Sequence, residues 1–142
     1  MTKNYQPLID QHIWIGGADD AVEANTNEQI DIIFDLRSEN QETNTPANRV
    51  HLPITDDASH QDESVKQAVE KVKEAVDQQK KVYFHCSGGK NRTGTLAAAL
   101  LLEYKKASTV DEAVEKAKEI RSVISPKPEM IDVLKRLYPT KA

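Results

Sequence analysis

The sequence predicts an α/β fold with a central, mostly parallel sheet of about four to five strands flanked by helices. Short apolar runs alternate with amphipathic stretches over the first two-thirds of the chain, and helical patterns dominate the last third. The length of 142 residues is enough for one core of this kind but not for two. We therefore expect a single domain that spans residues 1–142.

Four short runs have the character of strands. His12–Ile15 alternates and stops at two glycines, and Ile30–Leu36 is almost continuously apolar, as in a strand covered on both faces. Val50–Ile54 is a weaker run, and Lys81–His85 is apolar through its middle. We expect Lys81–His85 to be central and its carboxyl end to open onto the next helix, because open sheets bind their ligands at that edge.

Four helices are expected. Asp62–Gln79 has an apolar stripe at helical spacing opposite Lys and Glu, whereas Thr95–Lys105 is rich in Ala and Leu and lacks a polar face, which is typical of a buried helix. Thr109–Glu112 forms a capping box ahead of a third helix. The last helix is predicted over Pro128–Leu137, because proline suits the first turn.

Composition narrows the possible functions. The net charge of -4 excludes a generally basic nucleic-acid binder, and no apolar run approaches the roughly 20 residues of a membrane span. The segment Met1–Asp10 lacks the features of a secretory signal, and a single cysteine excludes a disulfide framework and a multi-cysteine zinc site. We expect a cytoplasmic monomer that uses no metal and no cofactor, binds no nucleic acid and does not insert stably into a membrane.

The residues that follow Lys81–His85 carry the chemistry. The seven positions from Cys86 to Arg92 can wrap around one tetrahedral anion, because paired glycines let the backbone turn its N–H groups inward. The following helix aims its partial positive charge at the same point. Arg92 supplies a planar fork for two phosphate oxygens, and Lys90 adds a second positive charge. The residues expected to bind phosphate are Ser87, Gly88, Gly89, Lys90, Asn91 and Arg92.

The same surroundings act on Cys86. A helix N-terminus and nearby cations lower the pKa of a thiol, so the thiolate is populated at neutral pH and can attack phosphorus. Thr93 can donate a hydrogen bond to the sulfur when it leaves, and His85 is expected to order the loop. Most cysteines outside disulfides are small buried hydrophobes. A cysteine that opens a glycine-rich, strand-to-helix loop ending in arginine is better explained as a nucleophile.

The run His85-Cys86-(five residues)-Arg92-Thr93-Gly94 resembles the signature of cysteine-dependent protein tyrosine phosphatases, and the small size is similar to their dual-specificity branch. Other segments resemble that branch as well: the opening strand His12 to Gly17, the strand end Phe34-Asp35-Leu36-Arg37, the general-acid segment Pro53-Ile54-Thr55-Asp56, and Arg121 followed by Pro126. The resemblance implies the phosphatase fold and a two-step reaction through a phosphocysteine intermediate, without a metal.

The resemblance also implies an aspartic acid that protonates the leaving group and then activates water. Asp56, Asp57 and Asp62 all lie in the polar stretch Thr55–Glu63. The likeness of the Pro53-Ile54-Thr55-Asp56 segment favours Asp56 as the catalytic acid. Asp57 remains open, and Asp62 also fits a helix N-cap.

Lys90 gives information about the class of substrate. Protein-directed enzymes of this branch usually carry an uncharged residue near this place, whereas the run Gly-Lys-x-Arg-Thr-Gly is similar to phosphoinositide- and inositol-phosphate-directed relatives. A lysine in the loop can meet a second phosphate on a polyphosphorylated ring, or it can strengthen the field around a single phosphate. We expect a tyrosine or dual-specificity protein phosphatase, with an inositol-phosphate substrate as the alternative.

Two hypotheses from other classes remain open. A rhodanese-like sulfurtransferase also places a cysteine loop after a strand, and a non-catalytic phosphate-binding module would keep the fold. The five-residue spacing from Cys86 to Arg92 and the pair Thr93-Gly94 count against the sulfurtransferase. The presence of both Cys86 and Arg92 counts against the binding module.

Overall fold

Ten elements make up the computed structural model, which describes residues 5–9, 12–17, 20–36, 49–52, 54, 61–86 and 91–138. In chain order they are β1 (Gln6–Ile9), β2 (Ile13–Gly16), α1 (Ala21–Glu28), β3 (Ile32–Asp35), β4 (Arg49–His51), α2 (Gln61–Asp77), β5 (Val82–His85), α3 (Arg92–Glu103), α4 (Val110–Ile120) and α5 (Pro128–Leu137).

The five strands form one sheet in the order β1-β2-β5-β3-β4. β1 is antiparallel to β2, and the other neighbours are parallel. The predicted α/β class and the central position of the strand before the cysteine are therefore confirmed. Because β2, β3 and β5 run in the same direction, their carboxyl ends meet at one edge, where Gly16 and Asp35 are both in register with His85.

β5 is covered on both faces, as its alternating side chains show. Val82 and Phe84 join the core formed with α2, α3, α4 and α5, whereas Tyr83 joins a smaller cluster that includes Trp14 and Ala24 on the α1 side. Val82, Tyr83 and Phe84 are fully buried. Burial on both faces fixes β5, and therefore fixes the position of the residue that follows it.

Two elements were not predicted from the sequence. β1 contains Pro7, which weakens a strand pattern but is tolerated at a sheet edge, and β1 is an edge strand. α1 is mostly polar and buries only Ala21 and Ala24, so its apolar stripe is too thin to stand out. The remaining helices lie where the sequence predicts them, within a few residues, and Pro128–Leu137 agrees at both ends.

α3 is the buried helix of the structure. Its residues from Arg92 to Leu101 are all buried, which matches the absence of a polar face in the sequence. It begins three residues earlier than predicted, at Arg92 rather than Thr95. The end of the cysteine loop and the first turn of the helix are therefore the same residues.

Candidate active site

Cys86 is the first residue after β5, at the carboxyl edge of the sheet. The parallel register places its neighbour His85 beside Asp35 of β3 and Gly16 of β2. The carbonyl oxygen of His85 accepts a hydrogen bond from the Leu36 N–H at 2.8 Å. Cys86 is 6% exposed, and it lies at the edge where an α/β sheet binds ligands.

The His85 ring holds the backbone of Cys86. Its Nδ1 lies 3.0 Å from the Cys86 carbonyl oxygen, and because a carbonyl can only accept, the ring nitrogen is the donor. The Tyr83 ring packs 5.9 Å away, centroid to centroid, and its hydroxyl donates to the Gly17 carbonyl at 2.8 Å. Burial raises the pKa of Tyr83 well above its usual value, so this hydroxyl stays a donor. His85 thus contacts the backbone of the first residue of the loop, and its predicted role in ordering the loop stays a prediction.

Thr93 contacts the sulfur directly. Its Oγ1 donates a hydrogen bond to Cys86 Sγ at 3.2 Å, although seven positions separate the two residues in sequence. Thr93 is completely buried. The predicted contact of Thr93 with the sulfur is therefore present, and a hydroxyl at this distance can stabilise negative charge on the sulfur.

Arg92 is the first residue of α3, where a positive charge is electrostatically unfavourable. A cation beside the positive N-terminus of a helix is destabilising, and this arginine is 8% exposed. The first turn of α3 contains no acidic residue. Arg92 and the helix N-terminus thus both contribute positive charge to the start of α3, and a helix start of this kind is suited to a bound anion.

Asn91, the residue before α3, does not cap the helix with its side chain. Its Oδ1 instead accepts the backbone N–H of Lys127 at 2.8 Å, and its carbonyl oxygen accepts Thr95 N and Thr95 Oγ1, each at 2.8 Å. The side-chain oxygen is therefore engaged with the segment before α5. The phosphate contact predicted for Asn91 stays a prediction.

Gly94 lets that segment approach α3 closely. A Cβ added at Gly94 would lie 2.6 Å from Ile124 Cγ2 and 3.3 Å from Pro126 Cγ. A side chain here would push away the segment that contacts Asn91. The glycine after Thr93 is thus explained by packing rather than by contact with the anion.

Asp62 forms a bidentate ion pair with Arg136. Arg136 Nε and Nη2 lie 2.8 and 2.7 Å from the two carboxylate oxygens. The hydrogen bond from Arg136 holds the pKa of Asp62 below its usual value, which makes the protonated form that a general acid needs still rarer. The ion pair therefore counts against Asp62 as the catalytic acid.

Several predicted site residues lie outside the described residues. They are Asp56 and Asp57, the two favoured catalytic acids, and Ser87, Gly88, Gly89 and Lys90 of the cysteine loop. Of the predicted site, Cys86, Asn91, Arg92 and Thr93 are described, and the contact between Thr93 and Cys86 brings the two ends of the loop together.

Three contacts at this edge of the sheet were missed by the sequence analysis. They join Lys127 to Asn91, Tyr83 to Gly17, and Arg121 to Gln6, whose Oε1 accepts from Arg121 Nη1 at 2.9 Å. Each pair is far apart in sequence, so no local pattern could reveal it. A group of three or more potential metal ligands does not occur among the described residues, and no helix in that part of the chain could cross a membrane.

A protein-family model matches residues 13–139 of the chain and describes the dual specificity phosphatase catalytic domain. The match extends from β2 to beyond α5 and includes Cys86, Arg92 and Thr93. It therefore covers four of the five described strands, the cysteine loop and the five described helices, and leaves out only β1.

A shorter stretch is similar to curated relatives. Over 57 residues the chain is 42% identical to the human protein named phosphatidylglycerophosphatase and protein-tyrosine phosphatase 1, and 40% identical to the mouse protein of the same name. The matched stretch is 40% of this chain and 28% of the human protein. The chain thus matches less than a third of the length of these relatives.

Solved structures share the fold along nearly the whole chain. A mouse putative dual specificity phosphatase complexed with zinc tungstate superposes with a TM-score of 0.80 over 97% of this chain and 88% of its own, at 18% identity. PTPMT1 in complex with PI(5)P gives a TM-score of 0.77 over 95% of this chain and 94% of its own, at 21% identity. At such identities the similarity establishes the fold.

Proposed function

The chain belongs to the family of dual-specificity phosphatase catalytic domains, and from that premise we propose that it hydrolyses phosphomonoesters with Cys86 as the nucleophile. Membership makes it a cysteine-dependent phosphatase that acts on phosphorylated substrates. The observation that carries the assignment of Cys86 is its hydrogen bond from Thr93, beside the buried Arg92 at the start of α3.

The proposed reaction has two displacement steps at phosphorus. The Cys86 thiolate attacks the phosphoryl group, the ester P–O bond breaks, and the leaving oxygen takes a proton from an aspartic acid. Water then attacks phosphorus and gives a proton to the aspartate, the S–P bond breaks, and its electron pair returns to the sulfur, where the Thr93 hydroxyl stabilises it. Arg92 and the N–H groups of the loop hold the phosphoryl oxygens in both steps.

Asp56 is the proposed acid. The ion pair that occupies Asp62 supports this choice by removing one of its two competitors. Replacing Asp56 by Ala should lower kcat most for alkyl phosphates, whose leaving groups need the proton, and least for activated aryl phosphates. The same pattern in Asp57→Ala rather than Asp56→Ala would move the role to Asp57. Asp62→Asn serves as the matched control and should change kcat by less than about twofold.

We propose phosphorylated proteins as the substrate class. The family match supports this proposal, because the model is that of the dual specificity phosphatases, the branch of the protein tyrosine phosphatases that the cysteine loop resembles. The name of the human and mouse relatives includes protein-tyrosine phosphatase, which supports phosphotyrosine within that class.

A phospholipid monoester is the second candidate. The same relatives are also named phosphatidylglycerophosphatases, and one structure of similar fold contains PI(5)P. Lys90, in the cysteine loop, offers a positive charge for such a headgroup. This candidate replaces the protein substrate only if a lipid is the better substrate in direct competition.

Phosphate release from a panel of substrates separates these candidates. The panel contains a phosphotyrosine peptide, a phosphothreonine peptide, a soluble phosphoinositide and short-chain phosphatidylglycerophosphate, with Cys86→Ser as the blank. A tenfold lead in kcat/KM for a peptide supports the protein phosphatase, whereas the same lead for a lipid supports the second candidate. Release by Cys86→Ser, or thiosulfate-to-cyanide sulfur transfer without phosphatase activity, contradicts the proposed reaction.

A further inference from the structure

The segment between α4 and α5 is packed against the start of α3. Ile124 and Pro126 fill the space beside Gly94, so closely that a Cβ there would meet Ile124 Cγ2 at 2.6 Å. Ile124 is 1% exposed and its N–H donates to the Arg121 carbonyl at 3.1 Å. The segment is therefore held against the helix that carries Arg92 and Thr93.

Lys127 has a fixed backbone at the end of this segment. Its N–H donates to Asn91 Oδ1, and its carbonyl oxygen accepts Met130 N at 2.9 Å and Ile131 N at 3.1 Å. Prolines precede and follow it, and its φ of -68° and ψ of 156° are those that a following proline imposes. Both polar groups of the backbone are engaged, while the side chain is exposed.

The hydrogen-bond partner of Lys127 belongs to the cysteine loop. Asn91 directly precedes Arg92 and is one of the six residues predicted to bind the phosphate. The backbone of Lys127 is thus fixed beside the catalytic loop, and only its exposed four-carbon side chain has to be ordered when its charge meets an anion. The nearest opposing charge along the chain is Glu129, exposed in the first turn of α5.

We propose that Lys127 forms a second anion subsite on the rim of the active site, which selects phosphopeptides with an acidic residue beside the phosphorylated one. The inference rests on the proposed function of Cys86 and adds the substrate preference. A soluble acidic peptide is favoured over an anionic membrane, because the net charge of -4 opposes approach to an extended anionic surface more strongly than it opposes a peptide that carries only a few charges. An exposed lysine contributes a modest selectivity, which salt weakens.

The test uses two phosphotyrosine peptides that differ only in carrying Glu or Gln beside the phosphotyrosine. The measured quantity is the ratio of their kcat/KM values, which a change in nucleophile chemistry would leave unaltered. Lys127→Gln should lower the ratio about two- to fivefold, and Lys127→Arg should restore it. Glu129→Gln should raise the ratio, and added salt should bring the wild type towards the ratio of Lys127→Gln.

Lys80→Gln is the matched control, because Lys80 is exposed and lies before β5, at the opposite edge of the sheet from Cys86. An equal fall in Lys80→Gln, or an unchanged ratio in Lys127→Gln with wild-type thermal stability, overturns the proposal.

A second experiment compares the kcat/KM values for soluble phosphatidylinositol mono- and bisphosphate. A Lys127 effect confined to that pair would assign the subsite to a lipid headgroup and overturn the peptide assignment. Failure of the proposed function is distinct, because the wild type would then release no phosphate from either peptide.

Discussion

Helices α3 and α4 begin in opposite ways. Thr109 Oγ1 accepts the Glu112 N–H at the start of α4, and Asp111 and Glu112 place negative charge in its first turn. α3 begins on the cation Arg92, and its N-cap residue Asn91 turns its side chain to another segment. The side chains of α4 thus bind the free N–H groups and balance the positive charge at its own N-terminus. At the N-terminus of α3, a bound anion would do this.

The contrast extends to every helix of the described chain. α1, α2, α4 and α5 each carry at least one acidic residue in the first turn, and α3 carries none. An acidic residue at that place contributes about 0.3–1 kcal/mol to helix stability, and a cation opposes it. Departures from local rules of this kind are expected at functional sites, where stability is given up for binding.

The largest effect is expected at Arg92. Replacing it by Lys keeps the charge but removes the planar fork, so kcat/KM should fall by about 10²–10³-fold and inhibition by inorganic phosphate should weaken. Steady-state hydrolysis of para-nitrophenyl phosphate measures the change. A loss of less than about threefold would mean that α3 binds the anion through its charge and N–H groups without the fork.

Two threonine hydroxyls in the first turn of α3, those of Thr93 and Thr95, allow a comparison within this helix. Thr93→Val removes the donor to Cys86 Sγ, which should slow the breakdown of phosphocysteine by about tenfold. Single-turnover kinetics separate this step from the first. Thr95→Val is the matched control, because its hydroxyl bonds the Asn91 carbonyl and not the sulfur, and it should lose less. Equal losses in the two variants would contradict a role of Thr93 at the sulfur.

Asn91→Asp converts the start of α3 into one that resembles the start of α4. The new carboxylate can still accept the Lys127 N–H, and it stabilises the helix N-terminus by about 0.3–1 kcal/mol. We expect a higher Tm together with several-fold weaker inhibition by phosphate. Unchanged phosphate inhibition with a raised Tm would show that binding of the anion does not depend on the positive potential at the N-terminus of α3.

The smallest effect on activity is expected at α4. Thr109→Ala removes the cap and should lower the free energy of unfolding by about 1 kcal/mol, with kcat/KM within about twofold of the wild type. Denaturant unfolding and para-nitrophenyl phosphate turnover measure the two quantities. A large fall in turnover would contradict the conclusion that the start of α4 has a structural role only and that the start of α3 has the functional one.

Local sequence patterns predicted the parts of the site that are close together along the chain. The strand before Cys86, the helix after it and the contact of Thr93 with the sulfur all follow from one continuous motif. The capping box at α4 also formed, although the Glu112 carboxylate accepts the Ser108 N–H rather than that of Thr109. Each of these features is decided by neighbours within a few residues.

Long-range contacts could not be predicted in this way. The bond between Asn91 and Lys127 joins residues 36 positions apart, and it depends on how α5 packs rather than on either local sequence. Likewise, Tyr83 reaches Gly17 only because β2 and β5 are neighbours in the sheet. From the sequence alone, Lys127 is therefore an ordinary exposed lysine. Only the fold shows that its backbone contacts Asn91 of the cysteine loop.

The most direct test of the account is to trap the covalent intermediate. Wild-type protein is mixed with para-nitrophenyl phosphate, quenched in acid within milliseconds, digested and analysed by mass spectrometry. The account predicts that the peptide containing Cys86 gains the mass of one phosphoryl group in the wild type, gains more of it in Thr93→Val, and gains none in Cys86→Ser. Turnover without a phosphorylated Cys86 peptide, or with the phosphoryl group on another residue, would contradict it.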